Sequence, residues 1–136
     1  MDNIIDKWAM EFRKKENAPA ITVLEKFSCK GYECIVRNGD CFDIKLGYVV
    51  IPENHKYFEK PFNEIEIDCH YGLTFSGYLR YEDKLVYAIG FDCGHGMDLD
   101  FVKPEPKDPS EWMKCNKDVA FVKNELKKIV NQLCTE

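Results

Sequence analysis

Apolar residues recur in two rhythms along this chain. Near the start, Ile4, Ile5, Trp8 and Phe12 fall on one helical face, with Asp6, Lys7, Arg13 and Lys14 mostly elsewhere, which predicts an amphipathic helix over 3–16. Pro19 follows and cannot continue the hydrogen-bond ladder, so Asn17-Ala18-Pro19 ends that helix. Near the finish, Val119, Val122, Leu126, Ile129, Val130 and Leu133 repeat the helical spacing over 117–133, and Asn116 or Asp118 can cap the first turn. Between them the rhythm shifts to short apolar runs punctuated by turn residues. Those runs predict strands at 21–27, 32–37, 42–51, 64–69, 73–81 and 85–91, with Ile65 and Ile67 alternating against acids in the fourth. Lys30-Gly31, Asn38-Gly39-Asp40 and Tyr81-Glu82-Asp83-Lys84 read as the turns. Residues 52–63 read as an ordered surface loop. Residues 98–114, with Pro104, Pro106 and Pro109 and no clear period, read as a loop that lies over the sheet or crosses to the last helix.

Short connections between strands favour antiparallel pairing, because parallel strands need long crossovers. The two helices must bury their stripes, and a sheet face is the natural partner. The expected fold is α+β: a mostly antiparallel sheet of about six short strands, with an N-terminal and a C-terminal helix packed on it. A chain of 136 residues with 45% hydrophobic and 32% charged residues has room for one core, so a single domain over 1–136 is expected.

Charge and cysteine content narrow the partners. The net charge is −5 and no basic stripe occurs, which argues against generic binding to duplex nucleic acid. No apolar run approaches a membrane span, and the N-terminus lacks the basic and apolar regions of a signal peptide, so a cytoplasmic location and no membrane partner are expected. The cysteines number seven, with no Cys-x-x-Cys pair, and are expected to be reduced, small apolar residues in or near the core.

All three histidines follow or separate apolar runs, in motifs crowded with acids and turn residues: Ile51-Pro52-Glu53-Asn54-His55, Asp68-Cys69-His70-Tyr71-Gly72 and Phe91-Asp92-Cys93-Gly94-His95-Gly96-Met97-Asp98. Strand ends deliver side chains to shared pockets. In the second motif His70 precedes a strand on which Thr74 and Ser76 share a face, giving a polar edge that both donates and accepts. In the third, Asp92, His95 and Asp98 leave one strand end together, and an imidazole beside a carboxylate suits metal ligation, general-base work or ligand hydrogen bonding. The expected ligand-binding residues are His70, Thr74, Ser76, Asp92, His95 and Asp98. A divalent metal would draw on His55, His70, His95 and Asp92. Against these readings stand plain ones: hydroxyls facing water, an Asp-rich turn capping its own amides, and a surface histidine. The zinc-protease, NTPase, nucleophile-elbow and zinc-deaminase signatures are all missing.

The runs 47–55, 70–77 and 89–98, with the closing Phe121-Val122-Lys123-Asn124-Glu125-Leu126 helix, resemble a group of small phage and prophage proteins without an assigned activity. Their pattern is similar to Val-Pro-x-x-His, His-Gly-Gly-Leu-Thr-Tyr-Ser-Gly and Gly-Phe-Asp-Cys-Ala-His-x-Gly-Asp. The resemblance covers about residues 46–134. The chain departs from it at Tyr71, where the pattern has glycine, and at Gly96-Met97-Asp98, where the spacing before the acid is similar but not identical. The resemblance implies a phage accessory protein, and such proteins are often directed against host defence. Three mechanisms follow as expectations: a pocket that sequesters a small, nucleotide-like signal, with Tyr71 or Phe75 stacking on a base; an acidic surface that inhibits a host defence protein; or a metal-dependent hydrolase. The first is opposed by the scarcity of arginine, only Arg13, Arg37 and Arg80, since phosphates favour arginine clusters. The histidine motifs can meet within one chain or across an interface between copies, so a homo-oligomer is also compatible with the sequence.

Overall fold

The computed structural model describes residues 15–39 and 44–135, and of Ser110 the backbone alone. The helix expected over 3–16 lies outside these residues except for its last two, which join Asn17 in a 3-10 turn, Lys15–Asn17. Phe42 and Asp43, the expected start of the third strand, also lie outside.

Five strands form one antiparallel sheet: β1 (Glu25–Cys29), β2 (Tyr32–Asn38), β3 (Lys45–Val50), β4 (Phe75–Tyr81) and β5 (Lys84–Asp92), in the order β1-β2-β3-β5-β4. A second sheet pairs β6 (Leu99–Phe101) with β7 (Met113–Cys115), and the helix α1 (Val119–Cys134) closes the chain. The class is α+β, as the apolar rhythm predicts. The β1–β2 and β4–β5 turns place both central residues at positive φ, Lys30 (49°) with Gly31 (85°) and Glu82 (48°) with Asp83 (60°). Such mirror-image turns match the right-handed twist of the strands they join.

Strand alternation gives the sheet two apolar faces. Val36, Val49, Ile89 and Phe91 bury against Val122, Leu126, Ile129 and Val130 of α1. Ile35, Tyr48, Leu79 and Ala88 form a second cluster on the opposite face. Helix α1 starts where the Asp118 carboxylate accepts the Phe121 amide at 2.8 Å. Gly47 fixes how close it comes, because a Cβ there would lie 2.8 Å from Val122 Cγ1 and 3.1 Å from Leu126 Cδ2. Each fully buried aliphatic side chain at this contact contributes about 1.5–3 kcal/mol.

Three expectations are corrected. Residues 64–69 are not a strand. Their alternation is real, with Ile65 and Ile67 buried and Glu66 and Asp68 exposed, but the Asp68 backbone pairs with a side chain: its amide donates to Gln132 Oε1 at 2.8 Å, and Gln132 Nε2 donates back to its carbonyl at 2.7 Å. The helix amide thus satisfies a segment that a neighbouring strand would otherwise serve. The first strand starts later than expected, at Glu25, because Ile21 is drawn to the far edge: its amide donates to the Arg80 carbonyl at 2.8 Å, and Arg80 donates to Pro19 at 2.9 Å. Finally, the expected loop over 98–114 contains β6 and β7, strands of three residues each, too short to leave a period in the sequence. No helix among the described residues is long and apolar enough to cross a membrane.

Candidate functional site

β5 ends at Asp92, and Cys93 continues its alternation. Neighbouring residues of an extended chain point to opposite faces, so this one step divides the chemistry. Cys93 joins the core on the helix side, fully buried. Asp92 lines a groove on the other side.

On the helix side the centre is Asp98, at the end of the 3-10 turn Gly96–Asp98 and 0% exposed. Its carboxylate accepts the His95 amide at 3.2 Å and His70 Nε2–H at 2.7 Å, while Lys117 Nζ lies 3.8 Å away. A buried carboxylate needs such compensation, since an ion taken out of water is costly unless paired and hydrogen-bonded. The Asp98 carbonyl accepts the Asn116 amide at 2.6 Å, and Asn116 Nδ2 donates to Met97 at 2.9 Å, so the turn is pinned by the strand that leads into the final helix.

His70 arrives from a turn closed by the Gly72 amide on the Cys69 carbonyl at 2.8 Å. Within it Tyr71 has φ 56°, a left-handed conformation a bulky residue adopts at a cost of about 1–3 kcal/mol. The strain has a visible return: Tyr71 stacks on the His95 ring, centroids 4.2 Å apart at 24°. His70 is edge-on to Tyr71 at 4.7 Å and to Phe121 at 4.9 Å, which holds the imidazole against Asp98. A donor nitrogen of His70, the Cys93 sulfur and a carboxylate oxygen of Asp98 all lie within 4.8 Å of one another. Burial, and after it the negative charge of Asp98, pushes the Cys93 thiol up to about 12, and its carbonyl accepts Cys115 Sγ–H at 3.2 Å.

On the groove side Asp92 is the centre. Oδ1 accepts Thr74 Oγ1–H at 3.0 Å and Oδ2 accepts the Gly94 amide at 3.1 Å. His95 Nε2 lies 3.6 Å from Oδ1, too far for a hydrogen bond, and is buried with no hydrogen-bond partner among the described residues. The groove has a volume of about 440 Å³ and is lined by Arg37, Leu46, Tyr48, Phe75 and Asp92 among others. Tyr48, Gly90 and Phe75 lie side by side across β3, β5 and β4. The two rings meet edge to face at 5.4 Å over Gly90, where a Cβ would come within 2.6 Å of Tyr48 Cδ1. Arg37 Nε is buried beside them with no hydrogen-bond partner among the described residues.

The structure therefore gathers His70, Thr74, Asp92, His95 and Asp98 at one end of the sheet. Ser76 is not with them: it is buried within β4 opposite Ile89, and no hydrogen bond links it to the His/Asp group among the described residues. His55 also stands elsewhere, its Nδ1 accepting the Tyr57 amide at 3.0 Å and its ring lying against Tyr32 and Tyr57. Cys93, Lys117 and Tyr48 were not among the expected site residues. Alternation past the strand end marks Cys93, whereas nothing local marks Lys117, which lies 47 positions from His70 (117 − 70). Comparison with protein-family models, curated proteins and solved structures finds no match.

Proposed function

We propose that this protein binds a small, planar, anionic ligand of nucleotide-like chemistry in the groove beside Asp92, and that it acts as a phage accessory protein that withholds such a molecule from a host defence system. The observation that carries the reading is Arg37 Nε, a buried donor without a hydrogen-bond partner among the described residues, beside two aromatic rings. A buried N–H left unpaired costs free energy, and a phosphate or carboxylate would satisfy it with a charge-assisted bond. The scarcity of arginine weighs less once one of the few stands at the groove. Phe75 and Tyr48 supply the apolar surface on which a base packs, and Asp92 with Thr74 supplies an acceptor and a hydroxyl for its polar edge.

Titration calorimetry with mononucleotides, dinucleotides and cyclic nucleotides tests this directly. Binding is expected for at least one of these classes, and Arg37→Ala should weaken it roughly 10- to 100-fold, the equivalent of one charge-assisted hydrogen bond. Absence of binding across the panel, together with co-purification of a host protein, would replace this reading with that of a protein inhibitor.

A further inference from the structure

We infer that His70, Cys93 and Asp98 form a binding site for one divalent transition-metal ion of the zinc class, on the helix side of the sheet and independent of the groove reading. The donor set combines an imidazole, a sulfur and a carboxylate within 4.8 Å of one another, two of them fully buried. Such mixed nitrogen, sulfur and oxygen donors select zinc, iron or cobalt over magnesium and calcium, which prefer oxygen alone. The three sit on different segments, each anchored separately: His70 between Phe121 and Tyr71, Cys93 at the end of β5, and Asp98 in a turn tied to Asn116. Donors to zinc lie about 2.0–2.3 Å from the ion, so the 2.7 Å contact between His70 Nε2 and Asp98 Oδ1 opens as the ion takes the place of the Nε2 proton, which is released while Nδ1 takes one up, so that the ring ligates as a neutral imidazole.

Charge supports the same assignment. A thiolate and a carboxylate neutralise a divalent cation, and the Cys93 proton passes to solvent when the ion binds. Lys117 Nζ, 3.8 Å from Asp98 Oδ1, supplies positive charge to that carboxylate and so competes with the ion. Three protein ligands are also the number that catalytic zinc sites keep, with a further position for water or substrate. The set differs from the one the sequence suggested: His70 is shared, and Cys93 and Asp98 stand in place of His55, His95 and Asp92.

Cobalt(II) titration of the reduced full-length protein tests the site. One Co²⁺ per chain is expected, with an intense thiolate-to-cobalt charge-transfer band in the near ultraviolet that Zn²⁺ abolishes on displacement. Cys93→Ser should remove the band, whereas Cys134→Ser, which alters an exposed thiol, should leave it. Because Cys93→Ser changes a core position, His70→Gln provides a second variant at a partly exposed one, expected to lose tight binding while keeping its far-ultraviolet circular dichroism. Lys117→Met should bind Co²⁺ more tightly than the parent. A cobalt spectrum without the sulfur band in the unaltered protein, or a band that survives Cys93→Ser, would overturn the assignment.

Discussion

Asp92 and Cys93 are neighbours in sequence, yet they point to opposite faces at one strand end and serve two environments that meet at His95. The Cys93 side is closed: Asp98 has no exposed surface, and its carboxylate is compensated by His70, the His95 amide and Lys117. The Asp92 side is open, with partly exposed polar groups around a 440 Å³ groove and an arginine nitrogen that lacks a hydrogen-bond partner among the described residues. The difference shows how one strand end can present two chemistries. A closed cluster of mixed donors suits an ion, which needs few but well-placed contacts. An open groove with aromatic walls suits a flat organic molecule, which needs surface. His95 touches both, through its amide on Asp98 and its ring beside Asp92.

If each side depends on its own packing, the two can be damaged separately. The largest effect is expected from Leu126→Ala, which opens a cavity where α1 meets β3. It should cost about 2–5 kcal/mol in urea unfolding, and weaken Co²⁺ binding more than ligand binding. Next is Gly90→Ala, whose Cβ would come within 2.5 Å of the Gly47 carbonyl and 2.6 Å of the Tyr48 ring. Overpacking of this kind should cost about 1–3 kcal/mol. Here the order reverses: the groove loses its aromatic floor and the ligand is lost first, while the metal spectrum persists. Equal loss of both functions in either variant would show that the two sides are one cooperative site.

A third expectation concerns pH and involves neither site. Burial pushes the Cys34 thiol up to about 12, against an ordinary value of 9.0. The folded state therefore holds a proton that the unfolded state releases first. Stability from this group is complete below pH 9 and is lost as pH rises from there toward 12. Urea midpoints measured across that interval should fall, and more shallowly in Cys34→Ala once its lower starting stability is allowed for. A midpoint curve of identical slope in the two proteins would contradict the burial account.

How far the sequence foretold this arrangement can be traced residue by residue. The α1 stripe and four of the main strands were legible because period and burial agree there. The segment 64–69 misled for an instructive reason: alternation reports burial on one side, and Gln132 stands in for a strand on the other. β6 and β7 were hidden because strands of three residues, set among prolines, leave no period to read. Within the site, His70, Asp92, His95 and Asp98 could be named from their motifs. Their partition could not, because it depends on Cys93 extending the alternation of β5 and on a turn that returns Asp98 to the helix side. Thr74 and Ser76 looked equivalent from their spacing, but only Thr74, exposed at the strand entrance, reaches a carboxylate. Lys117 and Arg37 come to the site through tertiary structure alone.

Heteronuclear amide NMR during Zn²⁺ addition reads the two faces separately, residue by residue. The account predicts that resonances of His70, Cys93, Asp98 and Lys117 shift first and saturate at one ion per chain, while those of Arg37, Tyr48 and Phe75 stay in place. Shifts centred on Asp92 and the groove, with Cys93 and Asp98 unmoved, would contradict it.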